Sequence, residues 1–244
     1  MIIKSSKVLN DDYRNILPAY TDQYWDLAVC DIPYGLEVTN MSFLKKEVTR
    51  IKQKNGGVLN GKINKKAHRF KDWDKRPPTQ EYFDELKRVS KHQIIFGVEY
   101  VNWTGLGKGR IKWDKGVPEG VSFKKYEVAY CSMIDYELEL PLLWTGMLQA
   151  KSLAEPMTQQ GNKKLNEKRI HPCHKPIMLY DKLFLEFGFK GMKVIDTHIG
   201  GGSIRISADK FGVSEFLGIE IDQEHFEDHE KRWLNYKSQQ KLEL

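Results

Sequence analysis

Residues 193–220 constrain the fold more than any other stretch. Lys193-Val-Ile-Asp196 reads as a short strand, and Asp196-Thr-His-Ile-Gly200-Gly-Gly202-Ser203 as a glycine-rich turn. Residues 203–211 read as a helix stopped by Gly212, and Glu215-Phe-Leu-Gly-Ile-Glu220 as a second strand. Two strands joined through one helix run parallel, and a parallel sheet needs helices on its faces. The rest of the chain repeats this alternation. Strands are expected over 7–9, 25–30, 93–97, 110–113 and 126–131. Helices are expected over 79–91, 176–188 and 223–236, where Phe83, Leu86 and Val89, or Leu179, Leu183 and Phe187, recur at helical spacing. Strands alternating with helices predict an α/β fold with a largely parallel sheet.

The turn also suggests a ligand. Glycines let backbone approach a bound nucleotide, and an acid ending the next strand can hold ribose hydroxyls. Glu220 is 18 residues beyond Gly202. A dinucleotide site wants a third glycine, but Arg205 stands there. Asp196, Glu220 and Asp222 bracket the turn, and that acidity disfavours a pyrophosphate. A positively charged nucleoside without phosphate, S-adenosylmethionine, fits the charge better. A nicotinamide dinucleotide is the weaker alternative.

The chain has 244 residues and a net charge of +6. The charge is unevenly spread. Residues 41–71 hold ten basic side chains and the single acid Glu47, a local +9, so the remainder nets −3. Lys45, Lys46, Arg50, Lys52, Lys54, Lys62, Lys65, Lys66 and Arg69 are therefore candidate contacts to a polyanion, within an insertion (41–72) expected to be loop. Residues 141–170 read as a second loop with a smaller basic patch. No apolar run approaches the ~18 residues of a membrane span, and no secretory leader is evident. Three cysteines, Cys30, Cys131 and Cys173, argue against a disulfide framework and for a reducing cytoplasm.

Asp31-Ile-Pro-Tyr34 ends a strand expected to be central. By itself the tetrapeptide is a common turn. Beside a glycine turn at the same sheet edge it gains a chemical meaning. An exocyclic base amine is a poor nucleophile because its lone pair is delocalised into the ring. The Asp31 carboxylate and the Ile32 carbonyl can each accept one amine hydrogen. That drives the nitrogen toward a tetrahedral shape. Pro33 fixes the carbonyl direction, and Tyr34 can stack on a base taken out of its duplex.

In this order the motifs resemble the permuted amino-methyltransferases of DNA, the N4-cytosine/N6-adenine methylases of bacteria and phages. Asp31-Ile-Pro-Tyr-Gly35 is similar to that family's Asp-Pro-Pro-Tyr-Gly, with Ile32 in place of the first proline. Residues 82–97, Trp113-Asp-Lys115 and Tyr126-Glu127 resemble its core helix and strands. His171-Pro-Cys-His-Lys-Pro176 resembles its His-Pro-Thr-x-Lys-Pro segment, which borders the methionine end of the cofactor. Cys173 and His174 depart from that pattern, and without a fourth ligand beside His171 no metal is expected.

The resemblance implies one methyltransferase domain over 1–244, a doubly wound, mostly parallel seven-stranded sheet of the class I type, and S-adenosylmethionine as cofactor. It places Asp31, Ile32, Pro33 and Tyr34 in catalysis. It places Lys175, Asp196, His198, Gly200, Gly202, Ser203, Glu220 and Asp222 around the cofactor. Segments 41–72 and 141–170 would meet double-stranded DNA. An Asp at position 31 goes in the family with adenine N6, a Ser with cytosine N4. The resemblance further implies a cytoplasmic enzyme of a bacterium or an infecting phage, in a modification system or alone, and some relatives dimerise. A catalytically idle DNA-binding relative is the alternative from another class.

Overall fold

The computed structural model describes residues 5–35, 48–52, 58–62, 76–120, 124–145, 148–170 and 173–240. The chain divides into two compact units, one formed by 1–32 with 78–244 and one by 33–77.

The larger unit is built on one sheet. Its strands in chain order are β1 (Ser5–Asn10), β2 (Trp25–Asp31), β5 (Ser90–Phe96), β6 (Arg110–Asp114), β7 (Tyr126–Cys131), β8 (Glu137–Pro141), β11 (Lys193–Asp196) and β12 (Glu215–Glu220). Their spatial order is β1-β12-β11-β2-β5-β7-β6-β8. All pair in parallel except β7, which runs antiparallel to both β5 and β6. The middle strands are covered on both faces. Leu27, Ala28, Val29 and Cys30 of β2 and Ile94, Ile95 and Phe96 of β5 are all buried. This explains why both read as continuous apolar runs rather than alternating ones.

Helices α2 (Gln80–Val89), α3 (Ile177–Phe187), α4 (Ser203–Phe211) and α5 (Gln223–Gln240) accompany the sheet, after a single turn α1 (Tyr13–Ile16). Helix α2 buries Tyr82, Phe83, Leu86 and Val89, and α3 buries Leu179, Tyr180, Leu183 and Phe184. The Phe184 and Phe211 rings stack 5.4 Å apart between α3 and α4. Gly212 ends α4 in the left-handed region, its N–H returning to the Ala208 carbonyl.

Four sequence expectations need correction. The sheet has eight strands among the described residues, not seven. Strand β8, Glu-Leu-Glu-Leu-Pro, lies at the sheet edge, where Glu137, Glu139 and Pro141 protect an open side; such composition does not read as a strand. The helix expected over 79–91 stops at Val89, because Ser90 pairs with Trp25 and opens β5 three residues early. Segment 141–170 is not simply loop. β9 (Trp144–Thr145) pairs with β10 (Leu148–Gln149), and Leu142, Leu143, Trp144 and Ala150 join the core. Trp113 anchors the segment through Nε1, which donates to the Leu142 carbonyl at 2.9 Å.

The smaller unit holds an antiparallel pair, β3 (Val48–Lys52) and β4 (Val58–Lys62), where the sequence reads as loop. Arg50 is opposite Asn60, Lys52 opposite Val58 and Lys62 opposite Val48. Gly56-Gly57 between the two strands had signalled loop alone.

Candidate functional site

The sheet reverses its winding between β2 and β11. From β11 the chain crosses through α4 to β12 on one side, while β2 is followed in space by β5 on the other. Crevices that bind ligands form at such points, beyond the carboxyl ends of the strands. Ile195 pairs with Ala28, so Asp196 ends β11 level with Val29, and Asp31 ends β2 two residues further along. Ile32 is buried just beyond it.

Asp196 is 1% exposed and accepts the His198 N–H at 2.9 Å. Burial pushes its carboxyl well above the usual range. The His198 N–H opposes the shift, while Asp31 and Glu220 add to it. Glu220, at the end of β12, accepts the Gly200 N–H on Oε2 and the Asp222 N–H on Oε1, both at 2.9 Å. It fixes the backbone of the glycine turn. Asp222 accepts the His225 N–H at 3.0 Å and so starts α5.

His198 lies beside Tyr13 and Tyr82, each ring 5.4 Å away, and its Nδ1 is 2.9 Å from the Thr197 hydroxyl. Burial takes its imidazole down to about 4, so it is neutral. The Tyr82 hydroxyl reaches the same Thr197 oxygen at 2.7 Å. Tyr13 carries no motif, and Tyr82 stands in the 82–97 resemblance without a site role, yet the two wall one side of the turn.

Gly202 has φ 69°, and a Cβ there would stand 1.9 Å from Cδ2 of His229. The closeness of α5 by itself requires a glycine at this position. Arg205, in the place of a third glycine, is tied to α5 and β1. It pairs with Glu230 at 2.5 Å, donates to the Ser6 hydroxyl at 2.9 Å and covers the Trp233 ring at 4.2 Å.

Ser203 opens α4 inside a buried polar knot. Glu167 Oε1 receives Arg232 at 2.5 Å, His174 Nε2 at 2.7 Å and the Ser203 hydroxyl at 3.1 Å. Its Oε2 accepts the Ile177 N–H at 2.9 Å. Arg232 also donates to the Gly201 carbonyl at 2.5 Å. Ser203 and Glu167 both meet Nε2 of His174, whereas Nδ1 has no hydrogen-bond partner among the described residues. A nucleophilic triad needs the acid and the serine on opposite ring nitrogens, so the knot is structural rather than hydrolytic.

Asp31 meets Lys175, with Oδ1 and Nζ 2.5 Å apart. Lys175 lies 3.2 Å from Glu127, and Glu127 lies 2.9 Å from Lys115. Burial alone would lower the Lys175 pKa, but the Asp31 and Glu127 carboxylates outweigh it and hold it above the usual lysine range. Burial likewise opposes the Glu127 charge, yet Lys175 and Lys115 bring its carboxyl down to about 2.

The structure thus gathers Asp31, Ile32, Lys175, Asp196, His198, Gly200, Gly202, Ser203 and Glu220 at one end of the sheet. Pro33 and Tyr34 belong to the smaller unit. Lys45, Lys46, Lys54, Lys65, Lys66, Arg69 and His171 lie outside the described residues, and Arg50, Lys52 and Lys62 are placed by strand register alone. Sequence reasoning missed Glu127 as a site residue, Lys115, Glu167 and Arg232. A lone acid in the otherwise uncharged run 126–131 was the available signal for Glu127.

His229 supplies a pH prediction. It is 1% exposed, and burial, with Arg205 and Arg232 nearby, takes its imidazole down to about 3. The unfolded imidazole takes up a proton below pH ~6.5 while the folded one stays neutral. Its contribution is complete above that pH and is lost as pH falls toward 3. Between pH 7.5 and 5 the expected cost is on the order of 2 kcal/mol. Asp196 has the opposite sign, so the comparison is made against His229→Gln, in which Asp196 is retained. Urea unfolding at both pH values should give a flatter pH dependence for the variant; parallel dependences would refute the assignment.

Scans against family models and a search of curated proteins found no match. Among solved structures, the chain is similar to TTHA0409 of Thermus thermophilus, described as a putative DNA modification methylase. Identity is 14% over 95% of each chain, with a TM-score of 0.50. M1.HpyAVI, in its SAM complex, aligns with 93% of this chain and 98% of its own at 15% identity and a TM-score of 0.49. The PvuII cytosine-N4-specific DNA methyltransferase aligns with 92% and 84% at 11% identity and 0.49. The strand order above and the likeness to TTHA0409 agree on a mostly parallel, doubly wound α/β fold.

Proposed function

We propose that the chain is an S-adenosylmethionine-dependent DNA methyltransferase that modifies an exocyclic base amine, with adenine N6 as the favoured target. The observation that carries this is the placement of Asp31 and Asp196 at the carboxyl ends of neighbouring parallel strands at the switch point, with the glycine turn alongside.

The donor set suits this cofactor. Asp196 is a buried carboxylate whose charged neighbours are largely other acids, and a cationic ligand relieves that repulsion where a pyrophosphate would add to it. When bound, S-adenosylmethionine supplies an electrophilic methyl on a positive sulfonium. Asp196 and the Gly200–Ser203 backbone would receive its methionine portion, Glu220 and Asp222 its ribose, and His198 would pack beside it. The Glu220 oxygens already hold two backbone amides, and carboxylate oxygens have further lone pairs for hydroxyls.

Asp31 and the Ile32 carbonyl would accept the two hydrogens of the target amine, concentrating its lone pair on nitrogen and aiming it across the crevice. Tyr34 would stack on the extruded base. The +9 stretch of residues 41–71 would supply salt-sensitive affinity for the DNA backbone. The preference for adenine rests on the aspartate at position 31.

The test is incubation with labelled methyl donor and unmethylated genomic DNA, digestion, and identification of the modified nucleoside. N6-methyladenine is the expected product. N4-methylcytosine would keep the mechanism and change the target. No incorporation would overturn the proposal.

A further inference from the structure

We propose that Lys175 is a positioning residue for Asp31 rather than a cofactor contact, and that Glu127 holds it in that role. The inference rests on the assignment of Asp31 to the target amine. Lys175 precedes α3 and lies across the end of three adjacent strands. Its ammonium is 2.5 Å from Asp31 of β2, 4.8 Å from the Phe96 ring centroid of β5, and 3.2 Å from Glu127 of β7. Those strands are neighbours in the sheet in that order, and Asp31 pairs with Phe96. Because β7 is antiparallel, Glu127, near its start, stands at the same end of the sheet as Asp31.

The side chain is 4% exposed, so the ammonium faces protein groups, Asp31 and Glu127 among them, and not solvent. Asp31, Lys175, Glu127 and Lys115 alternate in sign, which leaves the largely buried row neutral. A single charge buried there would be strongly destabilising.

The chemistry requires this arrangement. Asp31 and Asp196 are close enough to repel, and a carboxylate beside another in a buried site tends to take up a proton. A protonated Asp31 could not accept an amine hydrogen with full charge. Lys175 balances Asp31 against Asp196 and fixes the direction of its Oδ1, while Glu127 keeps the ammonium at the sheet edge. Such a residue acts on the transfer step and not on cofactor affinity.

The test compares wild type, Lys175→Arg, Lys175→Met and the double variant K175M/E127Q. Single-turnover methyl transfer to DNA and S-adenosylmethionine binding by calorimetry are both measured. The double variant removes one charge of each sign and guards against a folding failure of K175M alone. It should bind S-adenosylmethionine within about threefold of wild type and transfer methyl ~100-fold more slowly, and Lys175→Arg should be about tenfold faster than Lys175→Met. Tenfold weaker cofactor binding with an unchanged saturated transfer rate would assign Lys175 to the cofactor and overturn the inference. A double variant within threefold of the wild-type transfer rate would also overturn it. A wild-type protein that transfers no methyl group overturns the functional proposal itself, and this inference with it.

Discussion

Replacing Asp31 with alanine is expected to lower methyl transfer to DNA by ~10³-fold or more while leaving the protein folded and S-adenosylmethionine binding intact. The carboxylate stands at the carboxyl end of β2, on the strand that neighbours Asp196. Without it the target amine keeps its planar, delocalised nitrogen, and the barrier to attack rises. Lys175 retains Glu127 at 3.2 Å, but the row is left with one excess positive charge, so some stability should be lost and the rate is read on variant protein that urea unfolding shows to be folded. Asp31→Asn separates the two roles of the side chain. Its amide oxygen can accept a hydrogen but carries no charge, and an intermediate rate is expected. A transfer rate for Asp31→Ala within tenfold of wild type, in folded protein, would sink the assignment.

The second large effect concerns stability. Glu167→Ala should cost about 3–5 kcal/mol, the range expected when one partner of a buried charge pair is removed. One carboxylate receives Arg232, His174, Ser203 and the Ile177 N–H. Its loss leaves the Arg232 guanidinium, which also braces the Gly201 carbonyl, without its countercharge. The turn loses a brace at the same time, so S-adenosylmethionine binding should weaken as well. Urea unfolding gives the stability term. The double variant E167A/R232M should recover a large part of it, since it removes both charges. A loss below 1 kcal/mol for the single variant would show that the knot contributes little.

The two networks differ in how far the chain itself discloses them. Asp31 and Asp196 each sit beside a turn signal at the end of an apolar run, and that local pattern places them at strand ends. Helix α4 was legible to its last residue because Gly212 alone can take the left-handed conformation that ends it. The ion-pair partner of Lys175 was not legible. The position of this lysine in a motif suggested a cofactor contact, and its ammonium proved to stand on Asp31, 144 residues earlier. Glu167 and Arg232 sit in polar surroundings that resemble any solvated loop or helix face.

What the sequence determined by itself was the alternation of strands and helices, the parallel arrangement of the central strands, and the glycine turn between β11 and α4. These follow from periodicity and backbone freedom over a few neighbouring residues, which packing had no need to override. The tertiary structure alone decided the edge strand β8, the early start of β5 at Ser90, and the pairing of Asp31 with Lys175 and Glu127. It also decided that Gly202 is required by His229. Each of these depends on which distant segment lies alongside. A strand edge takes its partner from the sheet, and a buried charge takes its partner from whichever elements exclude water around it, so neither is written in local spacing.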